Sequence, residues 1–337
     1  MLVEAGKYFA NCHASTVLAL GDGTVLCAYF AGTREKNPDV GIWLSRRENG
    51  VWDEPRCIAK SCMTAHWNPV LFESDGAVRI CYKVGSEIPI WRTRTRVSYD
   101  SGKTGSEETE YPAPLCDCGP VRSKPLKLRD GTLIAPNSTE TETDWYPRLD
   151  VSKDGGASWT KWCDIPINKT DANRSGYFQG KGAIQPALWQ SESGLHAFLR
   201  TTEGEIYRTD SADGENWCEA YPTSMPNNNS GLETAQDGNA LYLVCNPVGA
   251  NWGARFPLVI LRSDDDGKSF RAVKELEGMR DADFLEKVTK AGEENGYHVK
   301  VEYSYPAAMV RDGKLYVSYT YHRRSIAFWE IPLEELA

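Results

Sequence analysis

The sequence lacks the marks of several large protein classes. Its first residues, Met-Leu-Val-Glu-Ala-Gly-Lys-Tyr-Phe9, have no basic start followed by an apolar run, so no secretory leader is expected. No apolar run reaches membrane-spanning length, and no membrane partner is expected. Lys and Arg number 38 against 47 Asp and Glu, a net charge of −9. With no basic stripe to offset it, this balance argues against a nucleic-acid partner. It leaves room for a small anionic ligand, since a few Arg make a local positive pocket. The ten Cys offer no zinc spacing: Cys116-Asp-Cys118 has no second pair, so no metal is expected, and no cofactor either. Without a leader the thiols are expected to be reduced and the chain cytoplasmic.

What is present is repetition. Val151-Ser-Lys-Asp-Gly-Gly-Ala-Ser-Trp159 reads as an extended segment entering a tight polar turn that ends on an aromatic. Ser152 and Asp154 have side chains that fold back on nearby N–H groups, and the glycines supply positive φ. Ser263-Asp-Asp-Asp-Gly-Lys-Ser-Phe270 repeats the pattern in full. Ser98 to Thr104 keeps the spacing but has Gly105 where the aromatic belongs. Ser211 to Trp217 is one residue short, and Ser45 to Trp52 is degenerate. The closing positions 52, 105, 159, 217 and 270 are 53, 54, 58 and 53 residues apart. In step with them run six hairpin signals, at Asp22-Gly, Asp75-Gly, Asp130-Gly, Ser193-Gly, Asp237-Gly and Asp312-Gly, each followed by alternating apolar residues. A unit of about fifty residues with four short strands is a propeller blade. The expectation is an all-β chain, residues 1–337 forming one six-bladed β-propeller of four-stranded antiparallel blades. Too few residues follow Gly313 to complete the last blade, so the N-terminal segment 1–9 is expected to close it as a strand.

In each blade the strand before the hairpin turn is expected innermost, with its start at one mouth of the central channel. The strand after the turn returns to that mouth. Inbound strands then bring His13, His66, Trp67, Asn68, Lys124, Gln185, Asn229, Glu233, Tyr303 and Tyr305 there. Return strands bring Arg34, Glu35, Lys83, Arg200 and Arg323. Two polar insertions, 165–182 and 277–300, either rim the mouth or form surface loops; Asp283 to Ala291 has some helical spacing.

The spacing Ser-x-Asp-x-Gly-x-Ser/Thr-aromatic at 152–159 and 263–270 resembles the Asp box of sialidases and other BNR-repeat proteins. The resemblance runs over nearly the whole chain, and His-Ala-Ser-Thr at 13–16 and His-Trp-Asn-Pro at 66–69 are similar to a bacterial predicted-neuraminidase branch. For sialidases it implies an arginine triad on the substrate carboxylate, a Tyr nucleophile helped by a Glu, and an Asp acid/base. Tyr303 in Tyr-Ser-Tyr-Pro-Ala307 resembles the nucleophile. Arg200 and Arg255 resemble two triad members, and Asp39 resembles the acid/base, with Glu35 as its rival. The place of the first triad Arg reads Cys12-His-Ala-Ser-Thr16, and the helper Glu reads Gln185. His13 is then the expected base, with His66 in reserve. Arg34, Trp67, Asn68, Lys83, Lys124, Asn229, Glu233, Tyr305 and Arg323 are the remaining candidate contacts. The resemblance implies removal of a terminal acidic sugar from a glycan by hydrolysis. β-Elimination on a uronate and carbohydrate binding without catalysis are the alternatives.

Overall fold

The computed structural model describes residues 1–4, 6–278, 287, 290 and 301–337. Each hairpin signal becomes a β-hairpin, and each hairpin gains outer strands to make a sheet. The first sheet holds β1 (Asn11–Ala19), β2 (Val25–Gly32), β3 (Gly41–Glu48), β4 (Val51–Trp52) and β5 (Arg56–Ala59), the last two both pairing with β3. The second runs β6 (His66–Ser74), β7 (Ala77–Val84), β8 (Arg92–Ser98) and β9 (Thr109–Glu110). The third runs β10 (Leu126–Lys127), β11 (Leu133–Glu140), β12 (Trp145–Ser152) and β13 (Thr160–Asp164). The fourth comprises β14 (Ala183–Ser191), β15 (Gly194–Thr201), β16 (Glu205–Ser211) and β17 (Tyr221–Pro226). The fifth comprises β18 (Glu233–Asp237), β19 (Ala240–Cys245), β20 (Leu258–Ser263) and β21 (Arg271–Glu277). The sixth has β22 (Tyr303–Arg311), β23 (Lys314–Tyr321) and β24 (Ser325–Pro332).

All pairings within these sheets are antiparallel; β1 packs against both β6 and β22, β18 against β14 and β22, and the third blade meets the fourth through β11 and β14. The fold is a six-bladed β-propeller. Its closure differs in detail from the expected fourth strand. Leu2 N donates to Ile326 O at 2.8 Å and Ser325 Oγ to Val3 O at 2.6 Å, so the N-terminal segment lies along β24 without forming a strand of its own. Leu2, Val3 and Phe9 pack with Cys12, Cys27, Tyr29 and Ile326, and this burial anchors the segment. The ring is therefore closed by packing and a few bonds, not a ladder. The insertion expected at 277–300, with its helical stretch, falls almost entirely outside the described residues.

The outer turns form as their side chains dictate. In the third blade Ser152 Oγ donates to Asp154 at 2.7 Å, Gly156 N donates to Ser152 Oγ at 2.8 Å, and Ser158 Oγ donates to Asp154 at 2.6 Å. Gly156 has φ of 86°, and a Cβ there would meet the Phe72 ring at 2.8 Å, so two independent constraints demand glycine. Trp159 is buried edge-on against Phe72, ring centroids 6.1 Å apart, between blades two and three.

Candidate functional site

The six blades share one device at the channel mouth. Ala14, Asn68, Gln185 and Tyr305 near the start of their inner strands, and Arg122 and Asn229 just before theirs, each have φ between 40° and 67°. In four blades a register shift marks the same spot: His13/Thr16, Trp67/Val70, Ile184/Ala187 and Ser304/Ala307. A non-glycine residue in the left-handed region is costly and persists where surrounding structure imposes it. A bulge re-aims the side chain it carries. The result is a ring of six side chains presented at one opening.

Three of them meet on one guanidinium. Arg200, at the end of β15 and itself buried, donates from Nε to Asn229 Oδ1 at 2.7 Å. Its Nη1 donates to Tyr305 Oη at 2.6 Å and to Gln185 Oε1 at 3.2 Å. The Cζ atoms of Arg200, Arg255 and Arg122 lie 5.5, 5.4 and 5.9 Å from the Tyr305 ring centroid. The His13 ring lies against the same phenol, centroids 4.2 Å apart.

Beside Tyr305 is an ionic knot. Glu302 Oε1 accepts from Ser304 Oγ at 2.8 Å, Arg323 Nε at 3.1 Å and Arg255 Nη1 at 3.3 Å, and His13 Nδ1 is 3.7 Å away. Burial raises the pKa of Glu302, but Arg255 and Arg323 outweigh it and hold the carboxyl below its usual range. Arg323 Nη1 also pairs with Glu35, which brings the β2–β3 loop to the mouth. His13 Nδ1 is 2.8 Å from Thr320 Oγ1 and Nε2 is 3.4 Å from Arg323 Nη2. Burial first, then Arg323, Arg255, Arg200 and Arg122, push the His13 pKa well below 6.5. It is neutral at physiological pH.

Arg122 closes the floor. It is buried, and it donates across the channel to Pro306 O at 2.8 Å and to Leu232 O. Gly231 makes room: a Cβ there would stand 3.0 Å from the Arg122 side chain. Farther along the inner strands Glu233 Oε2 is 3.5 Å from Arg122 Nη2. Lys124 is buried there too, and burial lowers its pKa to about 8.

The structure thus gathers His13, Glu35, Gln185, Arg200, Asn229, Arg255, Tyr305 and Arg323. Lys124 and Glu233 lie beneath them, and Asn68 holds the second blade's ring position. Other candidates sit elsewhere. Tyr303 is fully buried in the core, its ring packed on Tyr321 and His322. Strand alternation puts 303 and 305 on one face; the left-handed turn at 305 breaks that alternation and sends only Tyr305 to the mouth. Lys83 is buried between blades two and three, donating to Thr93 Oγ1 at 2.6 Å and Asp117 O at 2.8 Å. Trp67 is core, its Nε1 donating to Gly85 O at 2.9 Å. His66 faces Tyr82, ring centroids 5.8 Å apart, and burial lowers its pKa. Arg34 is exposed on the β2–β3 loop. Asp39 is tied within that loop, accepting from Thr33 N at 2.8 Å and Thr33 Oγ1 at 2.7 Å.

Several site residues escaped the sequence. Arg122 stands two residues before Lys124, and only its left-handed backbone reveals that it turns inward. Trp145 and the exposed Trp252 flank Arg200, whose Cζ is 5.8 and 5.9 Å from their rings. Lys181 Nζ is 5.7 Å from the Trp145 ring, so segment 165–182 reaches this edge of the site.

The profile of the BNR repeat-like domain family matches residues 23–317. No curated protein is detectably similar in sequence. Among solved structures, a Dyadobacter fermentans protein of unknown function superposes with TM-score 0.66 at 14% identity, over 92% of this chain and 90% of that one. The intramolecular trans-sialidase of Ruminococcus gnavus, with oseltamivir carboxylate, gives 0.67 at 14% identity, over 98% and 96%. Trypanosoma rangeli sialidase, with the inhibitor DANA, gives 0.69 at 12% identity over 97% of this chain and 56% of its own length. At such identities the likeness is one of fold. The family match spans most of the chain, which belongs to the BNR repeat-like domain family.

Proposed function

We propose that this chain is a glycoside hydrolase that removes a terminal carboxylated sugar, sialic acid or a related acid, from a glycan. One observation carries the reading: three guanidinium groups converge on the Tyr305 ring at a channel mouth. Arg122 is committed to backbone carbonyls, which leaves Arg200 and Arg255 to face an anion. Both bonds of Arg255 are long and come from one nitrogen, 3.3 Å to Glu302 and 3.4 Å to Ser304, so a substrate carboxylate offers it a better partner.

Tyr305 takes the part that the family resemblance gave to Tyr303. Its oxygen already accepts from Arg200, a fixed donor that stabilises the phenolate formed as the O–H proton passes to solvent at the mouth, and this oxygen then bonds the anomeric carbon. His13 supports the ring as a neutral imidazole. Gln185 holds Arg200 rather than taking a proton. Trp252 and Trp145 offer apolar faces to the sugar beyond the cleaved bond.

The test is product analysis on sialosides and uronate glycosides, each as free acid and as amide. Release of a reducing acidic sugar from the acid alone supports the reading. An unsaturated product marks elimination, and binding without turnover marks a carbohydrate-binding propeller; either outcome overturns it.

A further inference from the structure

The carboxyls nearest the reacting centre are spoken for. Glu302 accepts three donors, Glu35 pairs with Arg323, and both oxygens of Asp39 are bound by Thr33. Glu233 lies beneath the site, near Arg122. The Glu233 Oε2 is likewise buried without a hydrogen bond, but it lies 3.5 Å from Arg122 Nη2. Glu140, the last residue of β11, has a buried Oε1 with neither a hydrogen bond nor an ion pair among the described residues. Glu140 pairs with Trp145 across the β11–β12 ladder, and directly opposed residues of such a pair present their side chains on one face. That face is the one where the Trp145 ring meets Arg200 and, 6.3 Å away, Trp252. An unpartnered buried carboxyl oxygen is costly unless the group is protonated or a ligand completes it.

We infer that Glu140 is the proton donor to the leaving group of the reaction proposed above, and the inference rests on that reading. As the Tyr305 oxygen bonds the anomeric carbon and the bond from that carbon to the glycosidic oxygen breaks, the Glu140 proton passes to the glycosidic oxygen and the aglycone leaves as an alcohol. Water then displaces the Tyr305 oxygen from the anomeric carbon, one water proton returning to the Glu140 carboxylate and the phenolate leaving against Arg200. The charged groups facing Glu140 are Arg200 from β15 and Lys181 from the segment before β14. Burial raises the Glu140 pKa to about 7 against the opposite pull of these two cations. The acid form is therefore present below pH 7 and is lost as pH rises through it, so activity has an alkaline limb there. The two cations stabilise the carboxylate left after transfer.

The experiment compares wild type with Glu140→Gln on two sialosides, one with a sugar aglycone and one with a 4-nitrophenyl aglycone that leaves without a proton. Loss of a general acid costs about 10²–10⁴ in rate where protonation is needed. Expected are a fall of that size in kcat on the sugar aglycone, about tenfold or less on the aryl one, and disappearance of the limb near pH 7. Azide added to the variant should restore turnover of the aryl substrate as a glycosyl azide. An equal loss on both substrates, or near-wild-type kcat with the limb intact, overturns the role of Glu140 while the wild type still hydrolyses. A wild type that hydrolyses neither substrate overturns the role together with the reading beneath it.

Discussion

At the outer edge, blades two, three and five close their turns with the same side chains. Thr104, Ser158 and Ser269 each donate to the second oxygen of Asp100, Asp154 and Asp265 at 2.6 Å. At the channel mouth the six blades share a backbone conformation and few side chains: Ala14, Asn68, Arg122, Gln185, Asn229 and Tyr305. Repeated side chains hold the repeat together. A repeated backbone with differing side chains lets one scaffold present six unlike groups to one ligand. The second blade separates the two parts of the turn. It keeps every hydrogen bond but has Gly105 in place of the aromatic, and beside it lies a cavity of about 260 Å³ lined by Leu26, Leu44, Leu71, Val78 and Ile80. Arg56 partly compensates by donating to the carbonyls of Gly102 and Lys103. The turn's polar bonds therefore fix its shape, while its aromatic fills space between blades.

The contrast is sharpest when one tyrosine at the mouth is set against its neighbour in the core. Tyr305→Phe should lower kcat by roughly 10³-fold or more, as loss of a reacting group does, with unchanged thermal unfolding. Tyr303→Phe should leave kcat within about threefold of wild type, measured in the same assay. The reverse ranking would restore Tyr303 to the site. At the outer edge Trp159→Ala should cost about 3–5 kcal/mol in denaturant unfolding, the usual range for a large core aromatic, while kcat per folded molecule stays constant. A change in kcat would show that turns and mouth are coupled.

Arg255→Ala tests the mouth's charge. It should weaken binding of an acidic glycoside by about 2–4 kcal/mol and leave the amide analogue almost unaffected. Equal effects on both would remove the carboxylate from the reading. A smaller effect belongs to a charge that lies away from the mouth. Burial lowers the Lys83 pKa to about 8 from 10.5. The unfolded chain thus binds more protons than the folded one between these values, so Lys83's contribution to stability rises with pH across that window. Lys83→Met should flatten the rise in unfolding free energy from pH 8 to 10.5 without touching kcat. Smallest of all, Gly105→Phe should raise stability by about 0.5–2 kcal/mol by filling the hollow. A Cβ at Gly105 meets nothing within 4 Å, so lost stability would mean the cavity serves a purpose other than tolerance of a missing aromatic.

The six Asp-Gly and Ser-Gly hairpins and the Ser-x-Asp-x-Gly turns were legible because each is a local rule, completed within a few residues by side chains bonding their own backbone. Those rules gave blade number, strand order and the end of the channel where polar residues gather. They put Arg200, Gln185, Asn229 and Arg323 at that end, while Arg255 came from the family resemblance. The choice between Tyr303 and Tyr305 was beyond them, as was the choice of Arg122 over its neighbours. A left-handed residue in a strand is imposed by the register of the strand paired with it, and nothing in its own chemistry announces it. Burial was likewise beyond them. His66 and Trp67 head β6, and Lys83 lies near the end of β7 as Arg200 lies near the end of β15, yet contacts with surrounding segments decide which strand ends are sealed and which stay open. The vacancy at Glu140 Oε1 is of the same kind, since it exists only because Arg200, Lys181 and Trp145 come from different segments to surround it without bonding it. Local periodicity is written along the chain, whereas exposure and charge at a point are sums over everything the fold brings there.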